Sequence, residues 1–83
     1  MYRVKLTARA KRGLKNLPKP YKEAVTIVIN ELKEQPTFGK PLGRELTGKF
    51  SIRIGFYRII YKINSVDDIV LVLNIGHRSK VYN

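Results

Sequence analysis

The stretch Lys-Phe-Ser-Ile-Arg-Ile-Gly-Phe-Tyr-Arg-Ile-Ile-Tyr-Lys, residues 49–62, predicts two β-strands that fold back on each other over Gly55 and Phe56. Glycine at the first central position of a two-residue loop fits a type II′ turn, whose twist matches that of the flanking strands. This turn sets the register, and the predicted cross-strand pairs are Ile54 with Tyr57, Arg53 with Arg58, Ile52 with Ile59, Ser51 with Ile60, and Lys49 with Lys62. The rest of the predicted sheet is built around this hairpin.

Because side chains alternate across a strand, the predicted hairpin has two unlike faces. One face is apolar and forms a wall of the core: Phe50, Ile52, Ile54, Tyr57, Ile59 and Tyr61. The other face is basic and holds no carboxylate: Lys49, Ser51, Arg53, Arg58, Ile60 and Lys62. A slip of one residue in the register would bury both arginines and expose Ile52 and Ile59, so the proposed pairing is strongly favoured.

The basic face needs a physical explanation, because like charges directly opposite each other destabilise a sheet by about 0.2–1 kcal/mol per pair. One explanation is solvation, since long basic side chains can extend into water. The other is a binding site for a polyanion, whose charge would turn the repulsion into attraction. The hairpin alone leaves both explanations open.

Composition limits the classes of protein to which the chain can belong. With 83 residues and no internal repeat, it is expected to be one domain, residues 1–83. It has no cysteine and one histidine, so we expect no disulfide, no metal site and no cofactor. Its apolar runs are far shorter than the ~20 residues of a membrane span, and residues 1–5 lack the apolar core of a signal peptide. We therefore expect a cytoplasmic protein.

Charge is the strongest compositional signal. Seventeen basic residues against six acidic ones give a net charge of +11 and a pI near 10.3. Residues 1–22 hold eight basic side chains and no acidic one. Such a balance suits nucleic acid, the ribosome, an anionic membrane or an acidic protein partner, without deciding among them.

The segment before the hairpin predicts one strand and two helices. Tyr2, Val4 and Leu6 alternate with polar residues, which is typical of a strand with one buried face. Thr7 is an N-cap for a helix from Ala8 to about Leu17, which Gly13 weakens by about 1 kcal/mol relative to alanine. A second helix is predicted from Pro20 to about Gln35, followed by a turn-rich loop over residues 36–43.

After the hairpin, residues 69–75 are apolar at both parities except Asn74, which predicts a strand that is covered on both faces or lies centrally in the sheet. Pairing Ile63 with Ile69 would place Asn74 opposite Arg58. The predicted order is β-α-α-β-β-β. This order indicates an α+β fold, with a mainly antiparallel sheet and a helical hairpin packed on one face.

Three features together resemble the RelE/ParE superfamily of bacterial and archaeal toxins. They are the hairpin with its Gly-x-Tyr-Arg-x-x-Tyr centre, the apolar strand of residues 69–75, and the closing Gly-His-Arg-Ser-Lys-Val-Tyr of residues 76–82. The resemblance covers essentially the whole chain. It implies a toxin held inactive by a small antitoxin that wraps around it. RelE-like members cut mRNA on the ribosome, whereas ParE-like members share the fold and poison DNA gyrase.

The resemblance also implies roles for individual residues. Arg58 matches the arginine that contacts the scissile phosphate, and Arg78 and Tyr82 match a C-terminal pair assigned to leaving-group stabilisation and to base stacking or proton transfer. Arg53 stands where RelE-like toxins commonly have a functional lysine. Ser51 departs from the pattern, because the ribonucleases have their other strand lysine, the usual candidate for the general base, at this position. Lys49, two residues earlier on the same face, could substitute.

The residue types suit RNA cleavage without the resemblance. Attack by the substrate's 2′-hydroxyl needs a proton acceptor, charge stabilisation at the phosphate and a proton donor for the leaving oxygen. Arginines supply charge and forked hydrogen bonds to phosphate oxygens. The predicted catalytic residues are Arg53, Arg58, His77, Arg78 and Tyr82, and the predicted RNA-binding residues are Lys11, Lys15, Lys49, Ser51, Lys62 and Lys80.

The expected partners are a cognate antitoxin and mRNA on the ribosome, with contacts to ribosomal RNA and none to a membrane. Two other functions stay open from the sequence. The missing strand lysine favours a non-catalytic toxin that inhibits gyrase, or an inactive relative that only binds nucleic acid. Lys11 and Lys15 could equally belong to a solvated helix face.

Overall fold

Along the chain, the elements follow the predicted β-α-α-β-β-β order with one short strand added. The computed structural model of the protein describes residues 1–43 and 46–77. Within these ranges the elements are β1 (Arg3–Leu6), α1 (Ala8–Lys15), α2 (Lys19–Leu32), a 3-10 turn (Pro36–Phe38), β2 (Lys40–Pro41), β3 (Lys49–Ile54), β4 (Tyr57–Asn64) and β5 (Ile69–His77). The added strand is β2, which lies in the segment predicted to be a loop.

The strands form one mixed sheet in the order β1-β5-β4-β3-β2. β1 runs parallel to β5, and the other neighbouring strands are antiparallel. The prediction of an α+β fold with a mainly antiparallel sheet is therefore confirmed. β5 lies between β1 and β4, which explains why its residues are apolar at both parities.

The central hairpin of β3 and β4 has the predicted register in every pair, including Arg53 opposite Arg58. Gly55 has a φ of +59°, whereas Phe56 keeps a negative φ, and this combination is that of a type II′ turn. A Cβ atom on Gly55 would lie 2.8 Å from Cε1 of Tyr21. The hairpin tip therefore requires glycine both for its backbone conformation and for its contact with the first turn of α2.

The predicted register between β4 and β5 is wrong along the whole ladder, since Ile63 pairs with Val70 and not with Ile69. Asn74 lies opposite Ile60, and Gly76 takes the place opposite Arg58. The register shifts immediately after Ile60, so that Leu73 is an extra residue in β5. The register next to the turn already differs from the prediction by one residue, and the bulge adds a second residue to every pair beyond it. Asn74 still shares a sheet face with Ile60 and hence with Arg58.

Helix α1 begins where predicted and ends earlier. The hydroxyl of Thr7 accepts a hydrogen bond from the backbone N–H of Ala10 at 3.1 Å and donates one to the carbonyl of Leu73 at 2.8 Å. The cap therefore also ties the helix to the bulge of β5. The helix ends at Lys15, two residues before the predicted end, because Leu17 precedes a proline and resists the helical region.

Helix α2 ends at Leu32, three residues before the predicted Gln35. A 3-10-type bond from the N–H of Lys33 to the carbonyl of Asn30, at 3.3 Å, tightens its last turn. Leu32 itself is fully buried. No helix in the described residues is both long and apolar enough to cross a membrane.

The core lies between the helices and the face of the sheet on which they pack. Each large aliphatic side chain buried there contributes about 1.5–3 kcal/mol. The buried cluster consists of Ala10, Leu17, Val25, Leu32, Ile52, Ile59, Tyr61, Val70, Val72 and Ile75. Every residue on the predicted apolar face of the hairpin belongs to this cluster or packs against it. The two predicted faces are therefore confirmed.

Tyr61 ties the segment before β2 to the centre of the sheet. Its ring is fully buried, its hydroxyl donates to the carbonyl of Pro36 at 2.7 Å, and it accepts from the N–H of Gly39 at 2.8 Å. Burial raises the pKa of the Tyr61 phenol, and the Gly39 hydrogen bond opposes that rise. The phenol therefore stays protonated at neutral pH and fixes the chain directly before Lys40.

Candidate nucleic-acid interface

The face of the sheet turned away from the helices carries the basic side chains of the strands. Directly paired residues share a face, so the pairings define this cationic face: Arg3, Lys5, Lys40, Lys49, Arg53, Arg58 and Lys62. Within the described part of the chain, no strand contributes a carboxylate to it, because the acidic residues there lie on or just after α2 and in the β4–β5 turn. The face is therefore a surface of uniformly positive charge.

A cleft of ≈ 410 Å³ lies in the cationic face and is lined by Lys40, Leu42, Ser51, Arg53 and Arg58. Arg53 is exposed, Arg58 is half-buried with its Nε atom buried, and Ser51 is almost fully buried on the floor. Arg53 and Arg58 lie directly opposite each other on β3 and β4. Two arginines paired across neighbouring strands repel each other in the free protein and would attract an anion placed between them.

Lys40 is a cleft residue that the sequence analysis missed. β2 pairs Lys40 with Ser51, which places this lysine beside the position where the family lysine is absent. A backbone hydrogen bond from the N–H of Leu42 to the carbonyl of Lys49, at 2.9 Å, holds β2 against β3. The available signal was weak, because a strand of two residues has no period and Pro41 indicates a strand edge at most.

His77 lies apart from the two arginines. It is paired with Tyr57 at the end of β5, and Tyr57 belongs to the face that packs against the helices. Its ring is parallel to that of Phe56 within 6°, with the ring centroids 6.3 Å apart. The structure therefore brings Arg53 and Arg58 together and places His77 on the other side of the sheet.

The remaining predicted site residues fall into three groups. Lys49 and Lys62 lie opposite each other on the cationic face, and one pair of the opposite face separates them from the Ser51–Ile60 pair. The exposed side chains of Lys11 and Lys15 lie on α1, beyond the opposite side of the sheet. Arg78, Lys80 and Tyr82 lie outside the described residues.

A second cavity of ≈ 410 Å³ lies between α1 and the end of β5. It is lined by Arg9, Gly13, Asn16, Leu17, Tyr57, Asn74, Ile75, Gly76 and His77. Its polar groups include one guanidinium and one imidazole, so it too is basic or neutral. Within residues 1–43 and 46–77, no group of three or more histidine, cysteine or acidic side chains could hold a metal ion.

Comparison with protein families gives a match over nearly the whole chain. The family described as "ParE toxin of type II toxin-antitoxin system, parDE" matches residues 4–82. Toxin RelG of Mycobacterium tuberculosis is 40% identical over an alignment that covers 98% of this chain and 95% of that protein. Toxin RelE of the same organism is 39% identical, with 98% of this chain and 86% of that protein covered.

The fold has close counterparts among solved structures. The crystal structure of the toxin–antitoxin complex RelBE2 from Mycobacterium tuberculosis contains a chain that superposes with a TM-score of 0.84 at 40% sequence identity. The superposition covers 93% of this chain and 98% of that one. The sheet that carries the cationic face is thus an architecture found in toxin–antitoxin complexes.

Proposed function

Because this chain belongs to the RelE/ParE toxins of type II toxin–antitoxin systems, we propose that it is a ribosome-dependent endoribonuclease that cleaves mRNA. The observation that carries the proposal is the pair Arg53 and Arg58, directly opposed in an open cleft that no described strand lines with a carboxylate. Their repulsion in the free protein is explained if the cleft binds a phosphate.

The proposed reaction uses the substrate's own 2′-hydroxyl and no metal ion. The 2′-oxygen forms a bond to phosphorus as its proton leaves, and the bond from phosphorus to the 5′-oxygen of the next nucleotide breaks as that oxygen gains a proton. Negative charge grows on the phosphate oxygens during this step. Arg53 and Arg58 would stabilise that charge with forked hydrogen bonds, in positions fixed by the sheet before substrate arrives.

We propose that the remaining roles fall to residues from other segments. On the family resemblance, Arg78 stabilises the leaving group and Tyr82 stacks a base or transfers a proton. Lys49 is our candidate for the proton acceptor, since it lies on the cationic face two residues from Ser51. His77 is not assigned to proton transfer, because it pairs with Tyr57 on the opposite side of the sheet.

We assign phosphate binding to Lys40, which the pairing of β2 with β3 brings to the cleft. Lysine is a compact charge on a flexible stem, suited to a phosphate that is already oriented by arginines. In this way Lys40 on β2 would supply the positive charge that is absent at Ser51.

Replacing Lys40 by alanine is expected to lower the rate of mRNA cleavage by about 10- to 100-fold, because a hydrogen bond to a charged group contributes about 1.5–3 kcal/mol. Lys40→Arg should keep most of the activity, since it retains the positive charge. Single-turnover cleavage on ribosomes measures both variants. Lys19→Ala, which removes an exposed lysine at the start of α2, is the control for net charge. Full activity of Lys40→Ala would remove the residue from the mechanism.

We propose that the other basic residues bind the protein to the ribosome and its mRNA. Lys49 and Lys62 flank the cleft and would contact the mRNA backbone, and Lys11 and Lys15 on α1 would contact ribosomal RNA. Such contacts weaken steeply as salt rises. Because the proposed activity requires ribosomes, we propose that the protein acts in the cytoplasm.

A cognate antitoxin is the proposed protein partner. RelBE2 of Mycobacterium tuberculosis, which contains a similar chain, is a toxin–antitoxin complex. With a net charge of +11, this chain favours an antitoxin with an acidic or amphipathic segment that folds on binding.

Translating ribosomes that carry end-labelled mRNA test the proposed reaction directly. The purified protein should cut the message on the ribosome and leave the same RNA intact when it is free in solution. An intact message on the ribosome, together with inhibition of DNA gyrase supercoiling, would instead indicate a toxin of the ParE kind.

A further inference from the structure

The end of the sheet nearest the hairpin tip carries a cluster of aromatic rings. The rings of Tyr21 and Tyr57 have centroids 4.8 Å apart, those of Tyr57 and His77 are 6.0 Å apart, and those of Phe56 and His77 are 6.3 Å apart. The cluster runs outward from the core, since Tyr21 and Tyr57 are half-buried whereas Phe56 is 65% exposed. Its outermost member is thus a large apolar ring in solvent.

The exposed ring is held in place by the turn that bears it. Gly55 has a φ of +59° and lies against Tyr21, so the two-residue loop is fixed to α2. The ring of Phe56 is parallel to that of His77 within 6°. A side chain with 65% of its surface exposed adds little to the hydrophobic core, so the fold gives no reason for a phenylalanine here. An isolated apolar residue on a surface is common, whereas two parallel exposed rings present a flat apolar surface on which a further ring can stack.

The position of the pair relative to the charges indicates its ligand. Phe56 lies in the turn between β3 and β4, two residues before Arg58 in the chain. On the other side of the sheet end, Arg9 lines a cavity together with Tyr57 and His77. Flat rings between cations on two sides fit single-stranded nucleic acid, whose bases stack on aromatic rings while basic groups bind its backbone.

We propose that Phe56 and His77 form a stacking platform for an unpaired base of the RNA, at the end of the sheet that carries the Arg53–Arg58 pair on its other face. The platform rests on RNA being the ligand of the cationic face. It binds a base by its π-face, so it tolerates any base and orients the strand across the end of the sheet. His77 thereby gains a role in positioning the substrate.

The experiment compares two oligonucleotides of equal length, both 2′-O-methylated so that they cannot be cleaved, one with bases and one abasic. Phe56→Ala should weaken binding of the base-bearing strand by about 5- to 100-fold, because stacking contributes about 1–3 kcal/mol per base. Binding of the abasic strand should not change. Phe56→Trp, which keeps an aromatic ring at this position, should bind the base-bearing strand as the wild type does. Phe38→Ala is the matched control, since Phe38 is also exposed, at 52%, but lies in the 3-10 turn before β2.

Unchanged binding of the base-bearing strand by Phe56→Ala would overturn the platform, and so would an equal loss for both strands. A variant that binds RNA normally but loses affinity for the antitoxin would make Phe56 a protein contact and overturn it as well. If wild-type protein cuts mRNA on the ribosome while Phe56→Ala binds as wild type does, only the platform fails. If wild-type protein leaves the message intact, the proposed reaction itself fails.

Discussion

Replacing Arg58 with methionine is expected to lower the single-turnover rate of mRNA cleavage on the ribosome by about 100- to 1,000-fold. This is the usual effect of removing one preorganised group that stabilises developing negative charge. Arg58 is half-buried on β4 and opposed to Arg53, so its position is set before substrate binds. Growth arrest on expression of the toxin alone should disappear with the same substitution.

The same substitution is expected to change the stability of the protein little. Methionine keeps the apolar stem with which a half-buried arginine packs, whereas alanine would remove it. Loss of the charge also relieves the repulsion from Arg53, which is about 0.2–1 kcal/mol for a cross-strand pair. Thermal unfolding measures this, and the midpoint should change little.

A loss of activity without a loss of stability distinguishes a functional arginine from a structural one. A structural Arg58 would lower stability and activity together when replaced. Lys19→Met is the control for net charge, because Lys19 is exposed at the start of α2 and does not line the cleft. Wild-type cleavage by Arg58→Met would be incompatible with the proposed phosphate site.

The hairpin could be predicted in detail because its determinants are local. A glycine at the first position of a two-residue loop selects the turn, and the turn fixes the register of the strands on either side. Alternation of Ile52 and Ile59 with Arg53 and Arg58 then decides which face is buried. The heart of the candidate site follows from these few residues.

The register of β5 and the position of Lys40 could not be predicted, because each depends on an element distant in sequence. The extra residue in β5, Leu73, lies where the neighbour of β5 changes from β1 to α1, at the Thr7 cap. Lys40 reaches the cleft because Tyr61, on another strand, holds the backbone of Gly39. Neither contact leaves a periodic signal in the local sequence.

The positions of the charged residues likewise depend on the fold and not on the local sequence. A net charge of +11 suits several partners. Glu23, Glu31 and Glu34 lie on or just after α2, whereas no described strand contributes a carboxylate to the cationic face. Exposed basic residues on α1 make the helix side positive as well, so the two sides differ in the lack of strand carboxylates around the cleft, which favours binding of a polyanion there.

Replacing Gly13 with alanine is expected to destabilise the protein, although the local sequence predicts the reverse. In the middle of α1, alanine is favoured over glycine by about 1 kcal/mol. A Cβ atom on Gly13, however, would lie 1.8 Å from the carbonyl oxygen of Ile75 and 2.8 Å from its carbonyl carbon. Both atoms belong to the backbone of β5, so no side-chain rotation can relieve the clash.

The helix would have to move away from β5, and overpacking of this kind usually costs about 1–3 kcal/mol or more. We expect the repulsion to exceed the gain in helix propensity, with a net loss near 2 kcal/mol and a fall in the unfolding midpoint of roughly 10 °C. Chemical and thermal denaturation of the free toxin measure both quantities. Gly43→Ala is the matched control, because a Cβ atom there meets nothing within 4 Å. A Gly13→Ala protein at least as stable as the wild type would mean that α1 does not pack this closely on the edge of β5.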